Sequence, residues 1–245
     1  MKMLVVDKKA LAGPVPGPDG LTGEGMIICI DKPLTWTSAD VVRKIRFRLQ
    51  RYWQIKKIKV GHTGTLDPLA TGLLIICAGK ATRLSDQFQS QEKEYVAGIT
   101  FGATTPSFDL EHPVDKVFPW EHITFKDVEN ALHQFIGEQM QLPPVYSAKV
   151  IEGVRAYEFA RQGMETPEMK TNLIRIRSLK IRSFDPPVLT LQIHCSKGTY
   201  IRALARDLGQ TLGSGAHLTS LQRSGSGNYR VKDAISIEDF DAFFN

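Results

Sequence analysis

The chain has 245 residues, of which 42% are hydrophobic, and 31 Lys and Arg against 26 Asp and Glu give a net charge of +5. This length can bury one large core or two smaller ones. No run of about 18 apolar residues is present, which excludes a transmembrane helix, and the amino terminus lacks the apolar region of a signal peptide. The mild basicity favours a polyanionic partner, although many soluble proteins share it.

The cysteines are widely spaced and form no CxxC pair. Cys29, Cys77 and Cys195 each lie in an apolar, strand-like run, which is typical of buried thiols in a reducing compartment. We therefore expect a cytoplasmic protein.

Residues 1–24 are predicted to be a flexible lead-in, because Pro14, Pro16 and Pro18 alternate with glycines and other small residues. The sequence leaves open whether this segment lies along the domain. A helix is predicted from Thr37, with Val41, Ile45 and Leu49 on its apolar side.

A run of basic residues follows the start of this helix, and no acid occurs between Asp40 and Asp67. Such a run is either a solvated helix face or a surface that contacts phosphates. The candidates for phosphate contact are Arg43, Lys44, Arg48, Lys56, Lys57 and Lys59, together with Arg83 further along the chain.

The segment Gly61-His62-Thr63-Gly64-Thr65-Leu66-Asp67-Pro68-Leu69-Ala70-Thr71-Gly72 sets one carboxylate, Asp67, among turn-forming residues. The glycines permit positive φ or close backbone approach, and Pro68 fixes the backbone after the acid. Either Asp67 caps a turn, or the loop presents it for chemistry. Residues 73–78 then read as a buried strand, and Gly79-Lys80-Ala81 begins a short helix without the spacing of a phosphate loop.

The later elements mix strands and helices. Strands are predicted at 95–101, at 174–182 with a bulge near Ser178, and at 189–193. Helices are predicted at 157–161, from Thr124 to a stop at Gly137, from Thr199, and at 236–244. The fold class is therefore α+β, with a mixed, mostly antiparallel sheet and flanking helices.

The segment around Asp67 closely resembles the catalytic motif of the TruB family, the tRNA pseudouridine-55 synthases. Four further segments resemble motifs of the same family and occur in the family's order, between about Gly25 and Leu221. They are Gly25–Ser38, Lys93-Glu94-Tyr95, Leu142–Lys149 and Ser196-Lys197-Gly198-Thr199-Tyr200-Ile201-Arg202.

The resemblance implies a site in which Asp67 is the nucleophile and Arg202 holds it ionised, as an opposite charge does. Tyr95 is expected to stack on the target base and to serve as an acid or base. His62, Tyr200 and Leu221 are implied to contact the substrate. Taken alone, each of these side chains also reads as an ordinary core, surface or phosphate-binding residue.

The implied reaction converts uridine 55 in the T-loop of tRNA to pseudouridine after the base has flipped out of its stack. It requires no metal and no organic cofactor, and attack at C1′ of the ribose and at C6 of the base both remain open. Two other hypotheses remain: an RNA-binding or RNA-folding protein on the same scaffold, and a guide-dependent catalytic subunit.

The resemblance also implies a domain organisation. We expect a pseudouridine synthase catalytic domain at 25–245, an RNA-contacting insertion at about 113–165, and no full C-terminal PUA domain. The T-arm stem-loop of tRNA is the expected partner, with no membrane and no obligatory protein partner.

Overall fold

The computed structural model describes residues 4–18, 23, 25–147, 150–151, 154–155 and 169–245. The helix predicted at 157–161 lies outside the described residues. The chain divides into two compact units: unit 1 comprises Met1–Glu94 and Gln222–Asn245, and unit 2 comprises Tyr95–Leu221. Within the described ranges, no helix is long and apolar enough to cross a membrane.

The strands are β1 (Leu4–Val6), β2 (Met26–Lys32), β3 (Val60–His62), β4 (Ala70–Ala78), β5 (Lys93–Phe101), β6 (Ala103–Thr104), β7 (Lys116–Val117), β8 (Gly137–Gln141), β9 (Val150–Ile151), β10 (Val154–Arg155), β11 (Asn172–Asp185), β12 (Val188–Cys195), β13 (Ala216–Ser226) and β14 (Tyr229–Arg230). The α-helices are α1 (Ser38–Tyr52), α2 (Ser85–Gln89), α3 (Phe125–His133), α4 (Ile201–Thr211) and α5 (Ile237–Phe243). Short 3₁₀ turns occupy Ala10–Ala12, Gly79–Leu84 and Val231–Asp233.

The sheet of unit 1 is built around β2 and β4, which pair antiparallel from Met26 opposite Ala78 to Lys32 opposite Gly72. Strand β3 pairs antiparallel with β4, and β1 pairs parallel with β2. Both central strands are almost continuously apolar and are buried along most of their length. The buried Cys29 and Cys77 lie in this core, as predicted.

The lead-in contributes to this sheet. Residues Leu4–Val6 form β1, and Val6 is fully buried. The prediction of a flexible lead-in is therefore wrong for these three residues, because their apolar side chains and backbone groups are satisfied by pairing with β2.

The prediction of a helix at Thr37 is confirmed. Thr37 and Asp40 form a capping box at the start of α1, and Val41, Ile45 and Leu49 are buried. A second capping box, from Ser236 to Asp239, begins α5 at the predicted place. Both signals are local, which is why the sequence alone reveals them.

In unit 2 the strands lie in the order β13, β5, β12, β11, β8. Strand β11 pairs antiparallel with β12 and with β8. Helices α3 and α4 contribute to one apolar core with β5, β11, β12 and β13. The predicted α+β class with a mostly antiparallel sheet is confirmed.

The end of helix α3 differs from the prediction. The helix stops at His133, and Gly137, with φ of +109°, begins β8 instead of terminating a helix. Between the end of the helix and Gly137, Phe135 is buried and Ile136 is 47% exposed. A glycine at positive φ marks a turn without fixing how far upstream the helix has ended.

Candidate active site

Asp67 lies in unit 1, half-buried in the loop that joins β3 to β4. Ser38, in the first turn of α1, anchors this loop: its Oγ accepts a hydrogen bond from the Leu66 amide (2.9 Å) and donates one to the Leu66 carbonyl (3.2 Å). Ser38 and Leu66 are both buried. One hydroxyl therefore satisfies both backbone groups of the residue that precedes Asp67.

Lys32 anchors the other side of Asp67. Its side chain is fully buried at the end of β2, and Nζ donates to the carbonyls of Pro33 (3.0 Å), Trp36 (2.5 Å) and Pro68 (3.4 Å). The amide of Thr35 also donates to the Pro68 carbonyl, at 2.9 Å. The residues on both sides of Asp67 are thus tied to the β2–α1 connection.

Arg223 provides a third anchor. Its guanidinium is buried and donates to the carbonyls of Leu73 (2.6 Å) and Gly64 (3.2 Å). Gly72 lies directly against its backbone: a Cβ at Gly72 would come within 2.4 Å of the Arg223 carbonyl oxygen, and φ there is +99°. This approach requires glycine.

The anchors place positive charge beside the carboxylate. Burial lowers the pKa of Lys32 to about 8, while the nearby Asp67 acts in the opposite direction and favours the charged ammonium. By the same attraction, a charged Lys32 favours ionised Asp67. The carboxylate that the sequence singled out is therefore held by a fixed backbone in a cationic environment.

In unit 2, Arg202 lies in the first turn of α4, where it is 4% exposed. Its Nε is 3.6 Å from the Asp109 carboxylate, and Nη1 donates to the Ser107 carbonyl at 3.1 Å. Asp109 is itself held by the Ser107 hydroxyl (2.6 Å) and the Glu111 amide (2.9 Å). The guanidinium is thus fixed by a buried polar network.

Tyr200 immediately precedes α4, and the side chain of Gln141 fixes its backbone. Gln141 accepts from the Tyr200 amide at 2.8 Å and donates to its carbonyl at 3.1 Å. Tyr95 and Leu221 are partly buried against the core of unit 2. His62 lies at the end of β3 in unit 1, where its Nδ1 accepts from the Gly64 amide at 3.3 Å.

The structure therefore brings His62 and Asp67 together in one anchored segment of unit 1. Tyr95, Tyr200, Arg202 and Leu221 belong to unit 2. The pairing of Asp67 with Arg202 stays a prediction.

Part of the basic run is neutralised within unit 1. Lys44 and Arg48 both bind Asp241 of α5, with Nζ of Lys44 2.6 Å from the carboxylate and Arg48 donating to the Asp241 backbone carbonyl at 2.6 Å. Arg43 forms an ion pair with Asp40. The sequence showed no compensating acid because Asp241 lies almost two hundred residues further along the chain.

Of the remaining candidates for phosphate contact, Lys57, Lys59 and Arg83 line a groove and Lys56 does not. A cavity of about 380 Å³ lies at the end of the β3–β4 pair away from the Asp67 loop. Its described lining includes Lys57, Lys59, Lys80 and Arg83 and contains no carboxylate. Lys57, Lys59 and Arg83 were predicted to contact phosphates. Lys80 lies beside them because the Gly79 amide donates a hydrogen bond to the Lys59 carbonyl, which brings the segment after β4 next to the segment before β3.

Sequence reasoning missed Lys32, Ser38, Asp109, Gln141 and Arg223 as residues of the site. Lys32 and Ser38 lie inside the first motif that was recognised, but nothing local indicated that a lysine would be buried.

Solved structures share this architecture. The chain aligns with the crystal structure of a Cbf5-Nop10-Gar1 complex at 23% identity and a TM-score of 0.68, covering 97% of this chain and 58% of that one. A second alignment, to an archaeal box H/ACA sRNP Nop10-Cbf5 complex, has 22% identity and a TM-score of 0.64 and covers 94% and 56% of the two chains. Both alignments show that the chain shares its fold with these structures.

Sequence comparison identifies the family within this fold. Residues 50–201 match the N-terminal domain of the TruB family pseudouridylate synthases, and residues 202–245 match the C-terminal domain of tRNA pseudouridylate synthase B. The tRNA pseudouridine synthase B of Parabacteroides distasonis is 53% identical over 219 residues, covering 89% of this chain and 93% of that protein. That of Phocaeicola vulgatus is 52% identical over 217 residues, covering 89% and 92%. The chain belongs to the TruB family.

Proposed function

We propose that this protein, a pseudouridine synthase of the TruB type that acts on tRNA, isomerises uridine 55 in the T-loop with Asp67 as the nucleophile. The observation that carries this proposal is the anchoring of Asp67. Its loop matches the family's catalytic segment, and Ser38, Lys32 and Arg223 hold the backbone on both sides of it. A catalytic group gains most from such fixed placement when it must meet one atom of a flipped nucleotide.

The proposed reaction balances without a redox step. The bond from C1′ to N1 of uracil breaks, the base turns within the site, and a bond from C1′ to C5 forms. The proton on C5 is lost and N1 gains one, so product and substrate are isomers. Asp67 attacks C1′ or C6 to start the sequence, and no metal or organic cofactor takes part in the proposed mechanism.

The other predicted site residues have separate roles in the proposed reaction. Arg202, held by Asp109 and Ser107, stabilises the ionised Asp67. Tyr95 stacks on the flipped base and moves a proton near the sugar or C5. Tyr200, Leu221 and His62 contact the target nucleotide and its neighbours.

The groove residues Lys57, Lys59, Lys80 and Arg83 bind the phosphate backbone of the T-arm. Their side chains line one cavity without a described carboxylate, so a phosphate would meet no repulsion there. Arg43, Lys44 and Arg48 would first have to leave their acidic partners, and the proposal therefore rests on the groove set.

The test is pseudouridine mapping on an unmodified tRNA transcript with wild-type protein, Asp67→Asn and the control Asp86→Asn, which removes an exposed carboxylate from α2. Wild type and control should convert uridine 55, and Asp67→Asn should convert none while still binding the RNA. Equal conversion by Asp67→Asn would overturn its role as the nucleophile. Conversion at another uridine would overturn the assigned position.

A further inference from the structure

Strand β11 carries a row of basic side chains on the outer side of the sheet in unit 2. Arg175, Arg177, Lys180 and Arg182 are all exposed, and we refer to these four residues as the basic stripe. The apolar side chains that alternate with them, beginning with Ile174 and Ile176, belong to the core.

A β-bulge keeps the basic stripe on one face. The pairing of β11 with β12 shifts between Ile176 and Ser178 and again between Ile181 and Ser183. The extra residues at the two shifts are Arg177 and Arg182. The first bulge reverses the alternation, so that basic residues at odd positions before it and at even positions after it point the same way. The stripe runs for roughly 20 Å at about 3.3 Å per residue.

The described strands around the stripe carry little negative charge. The residues of β12 that share its face are Thr190, Gln192 and His194. Within the described stretches of β8, β11 and β12, the exposed carboxylates are Glu138, opposite Arg175, and Asp185 at the end of β11. Across these strands, four cations against two acids, one near each end of the stripe, leave a net positive charge.

This surface is distinct from the predicted catalytic face of unit 2. Helix α4, which follows Tyr200 and carries Arg202, packs through Leu204 and Leu208 on the core formed by the opposite side of β11 and β12. The basic stripe therefore cannot serve the residues at the start of α4 directly.

Protection of a sheet edge explains only part of the stripe. Charged residues often guard an unpaired strand, and the paired stretch of β8 ends opposite Ile176. Arg177, Lys180 and Arg182 lie beyond that point, but Arg175 lies where β11 is flanked by β8, so no edge needs protection there. A surface for a polyanion accounts for all four residues.

We propose that the basic stripe binds the phosphate backbone of a tRNA segment outside the stem-loop that enters the active site. The inference rests on the proposed function, because tRNA is then the polyanion that this protein must hold. A row of cations on a flat polar face matches contacts to phosphates, which position an RNA without reading its sequence.

The experiment measures the affinity of the protein for an unmodified tRNA transcript and for the isolated T-arm stem-loop at several salt concentrations. The test variants are Lys180→Gln/Arg182→Gln and, as an independent pair from the other end of the stripe, Arg175→Gln/Arg177→Gln. The control is Lys9→Gln/Lys232→Gln, which removes two exposed positive charges in unit 1. Light scattering and circular dichroism verify that each variant is monodisperse and folded.

Each test pair should weaken binding of whole tRNA and reduce the slope of log affinity against log salt by about 1.8, at about 0.9 per phosphate contact. Binding of the stem-loop and its conversion at saturating RNA should match the control. The proposal is overturned if both folded pairs bind whole tRNA as the control does, or if the stem-loop loses as much affinity as whole tRNA. Failure of the proposed function would appear separately, as absence of conversion by wild type, while the slopes still decide the role of the stripe.

Discussion

Replacement of Ser38 by Ala should damage both stability and catalysis, because one buried hydroxyl holds the residue next to Asp67. The change leaves the Leu66 amide and carbonyl without their partners. Each unsatisfied buried polar group costs about 1–3 kcal/mol, so the free energy of unfolding should fall by about 2–6 kcal/mol. A displacement of the loop of about 1 Å can reduce the rate of a positioned reaction on the order of 100-fold.

The matched control is Thr37→Ala, one residue earlier. It removes the N-cap of the same helix, which costs about 1 kcal/mol, but Thr37 bonds within its own capping box and does not hold Leu66. Urea unfolding and single-turnover conversion at saturating tRNA measure the two effects. If Ser38→Ala matched Thr37→Ala in both stability and rate, the argument that Ser38 positions the Asp67 loop would be refuted.

Three other changes test the rest of the site. Burial lowers the pKa of Lys32 from 10.5 to about 8, so between these pH values the unfolded state binds more protons than the folded state. The contribution of Lys32 to the free energy of unfolding therefore rises with pH across that window. Urea unfolding of Lys32→Met should lack this rise, and the same pH slope in wild type and variant would contradict the argument. Asp109→Asn removes the charge beside the buried Arg202. It should slow single-turnover conversion at least about tenfold and change the affinity for tRNA little. A loss of affinity without a slower conversion would indicate a binding role instead. Gly72→Ala places a Cβ against the backbone of Arg223 at a positive φ, whereas a Cβ at Gly61 meets no atom within 4 Å. Thermal unfolding should show that Gly72→Ala is destabilised by more than about 2 kcal/mol and that Gly61→Ala is nearly unchanged. Equal effects of the two changes would disprove the close approach at Gly72.

Local signals in the sequence predicted the elements well. The helix start at Thr37 and the alternation of Leu189, Leu191 and Ile193 each involve residues within a few positions of one another. The shift of phase near Ser178 predicted a bulge that the structure contains. The second bulge was missed because it falls where the predicted strand ended.

The anchors of Asp67 could not be predicted in the same way. Arg223 reaches a carbonyl 150 residues earlier in the chain, and Lys32 reaches one 36 residues later. A lysine after an apolar strand ordinarily marks the return to solvent, so its burial follows only from the tertiary structure. The pairing of Lys44 and Arg48 with Asp241 was hidden for the same reason.

These long-range contacts bear on function because they fix the loop that carries Asp67. A carboxylate in a flexible loop would lose conformational freedom each time it met a substrate, and that loss would add to the barrier. Here the backbone on both sides of Asp67 is fixed by the buried side chains of Lys32, Ser38 and Arg223, all of which belong to unit 1. The ordering of the loop is therefore completed when the protein folds, and in the proposed mechanism the binding of RNA has only to place the flipped nucleotide.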